Sequence, residues 1–170
     1  DAQVIEDKIA QLKKTLPDQF EVFYSVKANP HPVILKLFLT HGYGLEIASV
    51  GEYRRAVNAG CPVKKILFAG PGKREAELTE VLFHGIGEIH AESLTELSRI
   101  AHIGQKLGKP ARVALRINPA YEALGGAIQM GGRPAPFGID EECMENALKV
   151  IKAEPFLHFC GIHLFVNTQI

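Results

Sequence analysis

The sequence carries no excess of charge of either sign: 19 Lys and Arg balance 19 Asp and Glu, for a formal net charge of zero. A basic surplus would favour nucleic acid or an anionic membrane surface. Its absence points instead to small molecules or other proteins as partners. Long apolar runs are missing too, none approaching the roughly 18 residues that a membrane span needs. No signal peptide is visible, because residues 1–15 read as an amphipathic helix dotted with charges. Cysteine is scarce: Cys61, Cys143 and Cys160 form neither a close-spaced pair nor a metal-ligand spacing. They read as reduced, partly buried thiols of a cytoplasmic protein.

What is present is ordinary globular material, 46% hydrophobic and 22% charged over 170 residues. That argues against disorder and suffices for one sizeable domain with its own core. The apolar pattern alternates between two periods. Val4, Ile5, Ile9, Leu12 and Leu16 fall at helical spacing, and Pro17 ends the helix. Residues 21–28 (EVFYSVKA) make a short β-rich run, residues 32–40 a helix, and residues 44–48 a second strand. Ser49 with Glu52 predicts a capping box for the next helix. The unit then repeats, with strands at 65–69 and 87–91, a helix over 73–84, and a second capping box, Ser93 with Glu96, opening a helix that ends near Gly108. A fifth strand spans 112–117, a Gly- and Pro-rich loop 118–138, a helix 140–153, and a sixth strand 158–166.

Strands recurring about every 20 residues between helices call for a parallel α/β arrangement with crossover helices. Near-continuous apolar strands suit a sheet covered by helices. Two architectures satisfy this, an open doubly wound sheet and a (β/α)8 barrel of the TIM type. The G-x-G-x-x-G turn of the first is missing after the first strand. Six strands match about three quarters of a barrel, which needs about 250 residues when closed. The expectation is therefore an incomplete (β/α)8 barrel with about six of its eight strands. Its ends agree: residues 1–170 open without an initiator Met and stop just after an apolar strand, as expected of the front part of a longer chain.

In such barrels the functional groups sit at the C-terminal ends of the strands. Those positions hold Lys27, residues 46–49, 69–72, 90–92 and 116–118, and residues 163–169. Lys27 closes an apolar strand, where partial desolvation would lower its pKa and free the amine for Schiff-base chemistry. Position alone favours a snorkelling lysine instead. Gly70-Pro71-Gly72-Lys73 ends like a phosphate loop, but Arg74 replaces the required Ser/Thr and Leu67 the first Gly. A tight strand-to-helix turn is the better reading. The loop 125–132 has no dinucleotide spacing. His31, His41, His84 and His102 read as surface positions, whereas His90 and His163 are at strand ends, where a pocket role is open to them. No close-spaced His and carboxylate companions support a metal site. Glu46 is read equally as a buried acid or a structural hydrogen-bonding group.

Six segments then stand out together: residues 23–29 (FYSVKAN), 44–52 (GLEIASVGE), 66–73 (ILFAGPGK), 115–119 (LRINP), 137–140 (FGID) and 161–169 (GIHLFVNTQ). In this order and spacing the chain resembles the fold-type III decarboxylases that use pyridoxal 5′-phosphate, the group of diaminopimelate and ornithine decarboxylases. The resemblance covers nearly the whole chain. The loop 128–134 (IQMGGRP) looks closest to a biosynthetic branch, that of the butirosin pathway, in which a glutamyl group is decarboxylated on an acyl-carrier protein. The resemblance implies a TIM-type barrel of the alanine racemase-like kind, with residues 1–170 as its N-terminal part and the last strands and a C-terminal β-domain absent. It implies pyridoxal 5′-phosphate as cofactor, Lys27 as its covalent anchor, Arg116 beside it, Glu46 and Glu52 as acidic neighbours, and the Thr168 hydroxyl near the phosphate. The implied substrate is an amino acid or a carrier-linked aminoacyl group, and the implied assembly a homodimer, with neither nucleic acid nor membrane as partner.

The chain departs from that pattern in two places. Many relatives stack a histidine on the cofactor ring where this chain has Phe165, with His163 two residues earlier on the same strand face. Asn167 stands where relatives usually have Gly. Phe165 can stack but cannot titrate. Two alternatives stay open beside decarboxylation: a non-catalytic, regulatory relative that binds the cofactor, and an amino-acid racemase on the same barrel.

Overall fold

The expected alternation of elements is realised in a computed structural model, which describes residues 1–120, 128–129, 135–165 and 167–168. Helix α1 (Ala2–Thr15) leads into β1 (Phe23–Ser25), a 3-10 turn (Val26–Ala28) and α2 (Pro32–Thr40). Then follow β2 (Gly44–Ile47), α3 (Val50–Asn58), β3 (Ile66–Phe68), α4 (Glu75–Phe83), β4 (Glu88–Ala91), α5 (Leu94–Leu107) and β5 (Ala111–Asn118). Two short strands, β6 (Ile128–Gln129) and β7 (Ile139–Asp140), precede α6 (Met144–Ala153), β8 (Leu157–Leu164) and β9 (Asn167–Thr168).

The sheet runs in the order β1-β2-β3-β4-β5, every pair parallel, with β8 along the far edge of β5. Each step between neighbouring strands crosses through a helix, as a parallel pair demands. Strand β7 also pairs with β5, at Ile117 and Asn118, beyond the point where β4 ends. β6 and β9 form a separate antiparallel pair, Ile128 opposite Thr168.

Alternation along the strands divides their side chains between two faces. Leu45, Ile47, Ile66, Phe68, Ile89, Val113 and Leu115 point to one face and are buried against Leu35, Tyr53, Leu78, Val81, Leu97 and Ile100 of the helices. The other face carries Ser25, Glu46, His90, Arg116 and His163. The helix side of the strands is apolar, whereas the inner face mixes Phe23, Leu67 and Ala114 with these polar groups instead of continuing the near-continuous apolar runs expected. The reason is that the inner face lines a polar site.

Four local expectations are corrected. Lys27 lies in the 3-10 turn after β1, not on the strand, because Pro30 holds Asn29 extended and the chain turns to bury Val26. Helix α6 begins at Met144, since Ile139 and Asp140 are taken by the ladder with β5. Gly138 makes that approach possible: it has φ +79°, and a Cβ there would lie 3.1 Å from the Arg116 carbonyl oxygen. The capping boxes form with one limb displaced. Ser49 and Ser93 accept from the Glu52 and Glu96 backbone N–H groups, but each glutamate side chain accepts from the residue before the cap, Ala48 or Glu92. Of the thiols, Cys61 is buried, and burial pushes its pKa up to about 11, whereas Cys143 is exposed rather than partly buried. No helix among the described residues is long and apolar enough to cross a membrane.

Candidate active site

At the C-terminal ends of the strands the inner face opens into a cavity of about 440 Å³, within the size range of cofactor sites. Lys27, Glu46, Arg116, His163 and Phe165 all line it, so the structure brings together the expected positions whose side chains it describes, Glu52 excepted. Thr168 belongs to β9 by its backbone, but its side chain lies outside the described residues, as does most of the loop 121–134. The cavity also takes in Ser25, Ala48, residues 69–72 and Phe137. A wider hollow of about 660 Å³ on α4 lies outside the sheet, away from these strand ends.

Lys27 stands exposed at the cavity rim, so the partial burial expected of its ammonium is not found. Strand β1 has β2 as its neighbour and no second one among the described residues, which leaves that side open to water. Ser25, opposite Glu46 in the β1–β2 ladder, buries its hydroxyl oxygen without a hydrogen-bond partner among the described residues.

Arg116 is buried, and its guanidinium is held by Glu92, with Nη1 3.0 Å and 3.2 Å from the two carboxylate oxygens. Its charge lies over two rings, 4.8 Å from the centroid of Phe137 and 5.8 Å from that of Phe165. Glu92 is the hub here. Besides Arg116 it accepts from the backbone N–H of Gly70 at 2.6 Å and of Gly138 at 3.2 Å. One carboxylate thus joins the turns after β3 and before β7 to the guanidinium of β5. Glu92 was among the strand-end positions, yet sequence reasoning assigned it no role. The available signal was a glutamate directly before a Ser N-cap at a strand end.

Residues 70–73 form the strand-to-helix turn that the failed Walker pattern suggested. Lys73 is buried and does not line the cavity: its Nζ lies 2.8 Å from Glu96, 2.6 Å from the Gly70 carbonyl and 2.7 Å from the His90 carbonyl. Glu52 is corrected in role, since its carboxylate is spent on the Ala48 N–H and does not line the cavity. His163 meets His90 across the inner face, Nδ1 to Nδ1 at 3.0 Å. Burial above all, with the neighbouring His90, Arg116, Lys73 and Lys27, pushes the His163 pKa down to about 4.

These groups fit a pyridoxal cofactor. A primary amine stands at the rim, a buried hydroxyl awaits a partner, a fixed guanidinium supplies positive charge, and two aromatic faces offer flat contact. Lys27 would hold the group covalently, with Arg116 and Phe165 beside it.

Comparison with known proteins agrees. Residues 2–170 match the family of pyridoxal-dependent decarboxylases over its pyridoxal-binding domain. The L-glutamyl-[BtrI acyl-carrier protein] decarboxylase of Niallia circulans is 39% identical over 99% of this chain and 40% of its own length. A diaminopimelate decarboxylase of Zymomonas mobilis is 40% identical over 88% of this chain and 36% of that protein. The crystal structure of diaminopimelate decarboxylase from Helicobacter pylori complexed with L-lysine superposes with a TM-score of 0.93 at 30% identity, covering 100% of this chain and 44% of that one. The sheet is accordingly a portion of the barrel these structures share. The chain spans about 40% of the length of the curated relatives it matches. On its sequence, its fold and the cavity its strand ends enclose, the chain belongs to the pyridoxal-dependent decarboxylases, whose pyridoxal-binding domain it matches from residue 2 to residue 170.

Proposed function

We propose that this chain is the N-terminal part of the barrel of a cytoplasmic, homodimeric enzyme. The enzyme decarboxylates an amino acid, free and diaminopimelate-like or held as an aminoacyl group on a carrier protein. The remaining strands and the C-terminal β-domain would lie outside these 170 residues, which alone would be inactive. The observation that carries the reading is the convergence of Lys27, Arg116, His163 and Phe165 on one cavity at the C-terminal ends of the strands.

When bound, pyridoxal phosphate supplies an electron sink for the pair left behind as carbon dioxide departs. The chain's own residues do the rest. Lys27 Nζ would hold the group covalently. Phe165 and Phe137 present apolar faces that exclude water from it. Arg116, fixed by Glu92, would place a positive charge beside it. Glu46 on β2 would be the acidic neighbour, and the resemblance assigns Thr168 to the phosphate.

Borohydride reduction of the full-length, cofactor-loaded protein, followed by peptide mass spectrometry, tests the anchor. The expected result is a pyridoxyl group on Lys27, with Lys27→Ala showing no label and no carbon dioxide release. Label on another lysine would overturn the assignment. Turnover of an amino acid with its carboxylate retained would establish racemisation instead. Labelling of Lys27 with no turnover of free or carrier-linked amino acids would establish the non-catalytic relative, for which Phe165 is the motivating residue.

A further inference from the structure

At the cavity and below it, the inner face of the sheet carries the ionisable side chains of Glu88, His90 and His163, of which His163 lines the cavity. Glu88 and His90 alternate along β4 and so share that face. His163 is two strands away on β8, with β5 between. In the ladders His90 is level with Ala114, and Ala114 with Gly161. A methyl group and a glycine leave the space above them open, and the two imidazoles close across it, ring centroids 4.6 Å apart. Their Nδ1 atoms are 3.0 Å apart, and the opposite nitrogen of His90, Nε2, lies 3.1 Å from Glu88 Oε1. His90 thus uses opposite sides of its ring for its two partners. That makes a chain, not a set of ligands converging on a metal.

The geometry dictates where the protons sit. The hydrogen bond from His90 holds the Glu88 carboxyl below the usual range, so Glu88 is ionised and only accepts. His90 Nε2 therefore carries a hydrogen. With both rings neutral, His90 Nδ1 is the acceptor and His163 Nδ1 the donor. His163 Nε2 is left with a bare lone pair and no partner among the described residues, on a ring that lines the cavity.

We propose that Glu88, His90 and His163 form a proton relay serving the cavity, with His163 Nε2 as its open end and Glu88 as its fixed charge. The inference rests on the decarboxylase reading, since loss of carbon dioxide leaves a carbon that must gain a proton. A proton arriving from the cavity forms the His163 Nε2–H bond. The His163 Nδ1–H bond breaks, its hydrogen passes to His90 Nδ1, and the positive charge comes to rest beside the Glu88 carboxylate. Reversal returns the proton, and no other reactant is consumed. The surrounding charges favour this direction. Arg116, Lys73 and Lys27 all oppose a cation on His163, while His90 gains the Glu88 anion at 3.1 Å. Glu88 is also faced by Arg112 of β5 and Cys160 of β8. His163 is the catalytic residue of this device, and His90 and Glu88 are positioning residues. Phe165 needs no titratable group if its strand neighbour two residues earlier supplies one.

Nitrogen-15 NMR of the histidine-labelled, full-length holoenzyme reads the tautomers directly. The expected pattern at neutral pH is Nδ1–H on His163 and Nε2–H on His90, with His90 taking the first proton on acidification. In His90→Phe, His163 should switch toward Nε2–H, with kcat lowered about 100-fold and KM little changed. Glu88→Gln still accepts from His90 Nε2–H, so the neutral tautomers should persist while the first protonation moves to lower pH. An Nε2–H tautomer of His163 in the unmodified protein overturns the relay, as does a first protonation unmoved in Glu88→Gln. Wild-type kcat in a folded His90→Phe holoenzyme does the same. Absence of any Lys27 adduct instead overturns the decarboxylase reading, and the tautomer pattern then judges the hydrogen-bonded chain on its own.

Discussion

Replacing Glu92 with Gln preserves side-chain volume and removes one negative charge from the centre of the site. Glu92 is buried and receives three donors: Gly70 N–H at 2.6 Å, Gly138 N–H at 3.2 Å and Arg116 Nη1 at 3.0 Å. Glutamine offers one acceptor oxygen and turns an NH2 group toward the remaining donors. One backbone N–H is then left facing a donor, which costs about 1–3 kcal/mol. Loss of the buried anion beside a buried guanidinium costs about 3–5 kcal/mol when nothing else supports the cation. Arg116 has further interactions, so the total should fall at about 2–4 kcal/mol. The second consequence is positional. With Glu92 gone the guanidinium is no longer fixed over Phe137 and Phe165, and affinity for pyridoxal phosphate should drop by about tenfold, the equivalent of about 1.4 kcal/mol. Urea denaturation at constant m-value measures the first effect, and titration of cofactor absorbance or fluorescence the second. Stability within about 0.5 kcal/mol of wild type, the range of ordinary surface substitutions, together with unchanged cofactor affinity, would refute the view of Glu92 as the tie between three segments.

Two further outcomes test the same framework. Lys73→Met leaves the Glu96 carboxylate buried without its cation and should destabilise by about 3–5 kcal/mol in chemical denaturation. Adding Glu96→Gln should recover part of that loss, and strict additivity of the two changes would contradict the pairing. The second concerns pH. His163 titrates at about 4 in the folded chain against an ordinary 6.5. Between those values the unfolded chain binds more protons, so stability should decline as pH falls through 6.5 and finish declining near 4. The full difference corresponds to about 3 kcal/mol, reduced to about 2 kcal/mol because the ring keeps some solvent contact. His163→Gln should flatten the stability curve across that window, and an unchanged curve would refute the assignment.

Much of this protein was legible in one dimension. Apolar spacing, with the Ser caps, located the six helices and six main strands of the described residues, because amphipathic periodicity is a local consequence of facing a core on one side. Order and spacing of the six segments identified the family, and with it Lys27, Arg116, His163 and Phe165 as neighbours. Local chemistry also showed where helices start, since Ser49 and Ser93 cap through bonds to residues three positions away. What the sequence could not determine is what buried charged groups bond to. Glu92 reaches Gly70, Arg116 and Gly138, which lie 22, 24 and 46 positions away, and only the registry of β3, β4, β5 and β7 brings them within reach. The same holds for His90 and His163, 73 positions apart, which meet because Ala114 and Gly161 happen to be small at one level of the sheet. Lys27 was placed by sequence at the right end of the barrel, but its exposure depended on how many strands flank β1. Periodicity belongs to a single element, whereas burial and pairing belong to the register between elements, and only the folded sheet sets that register.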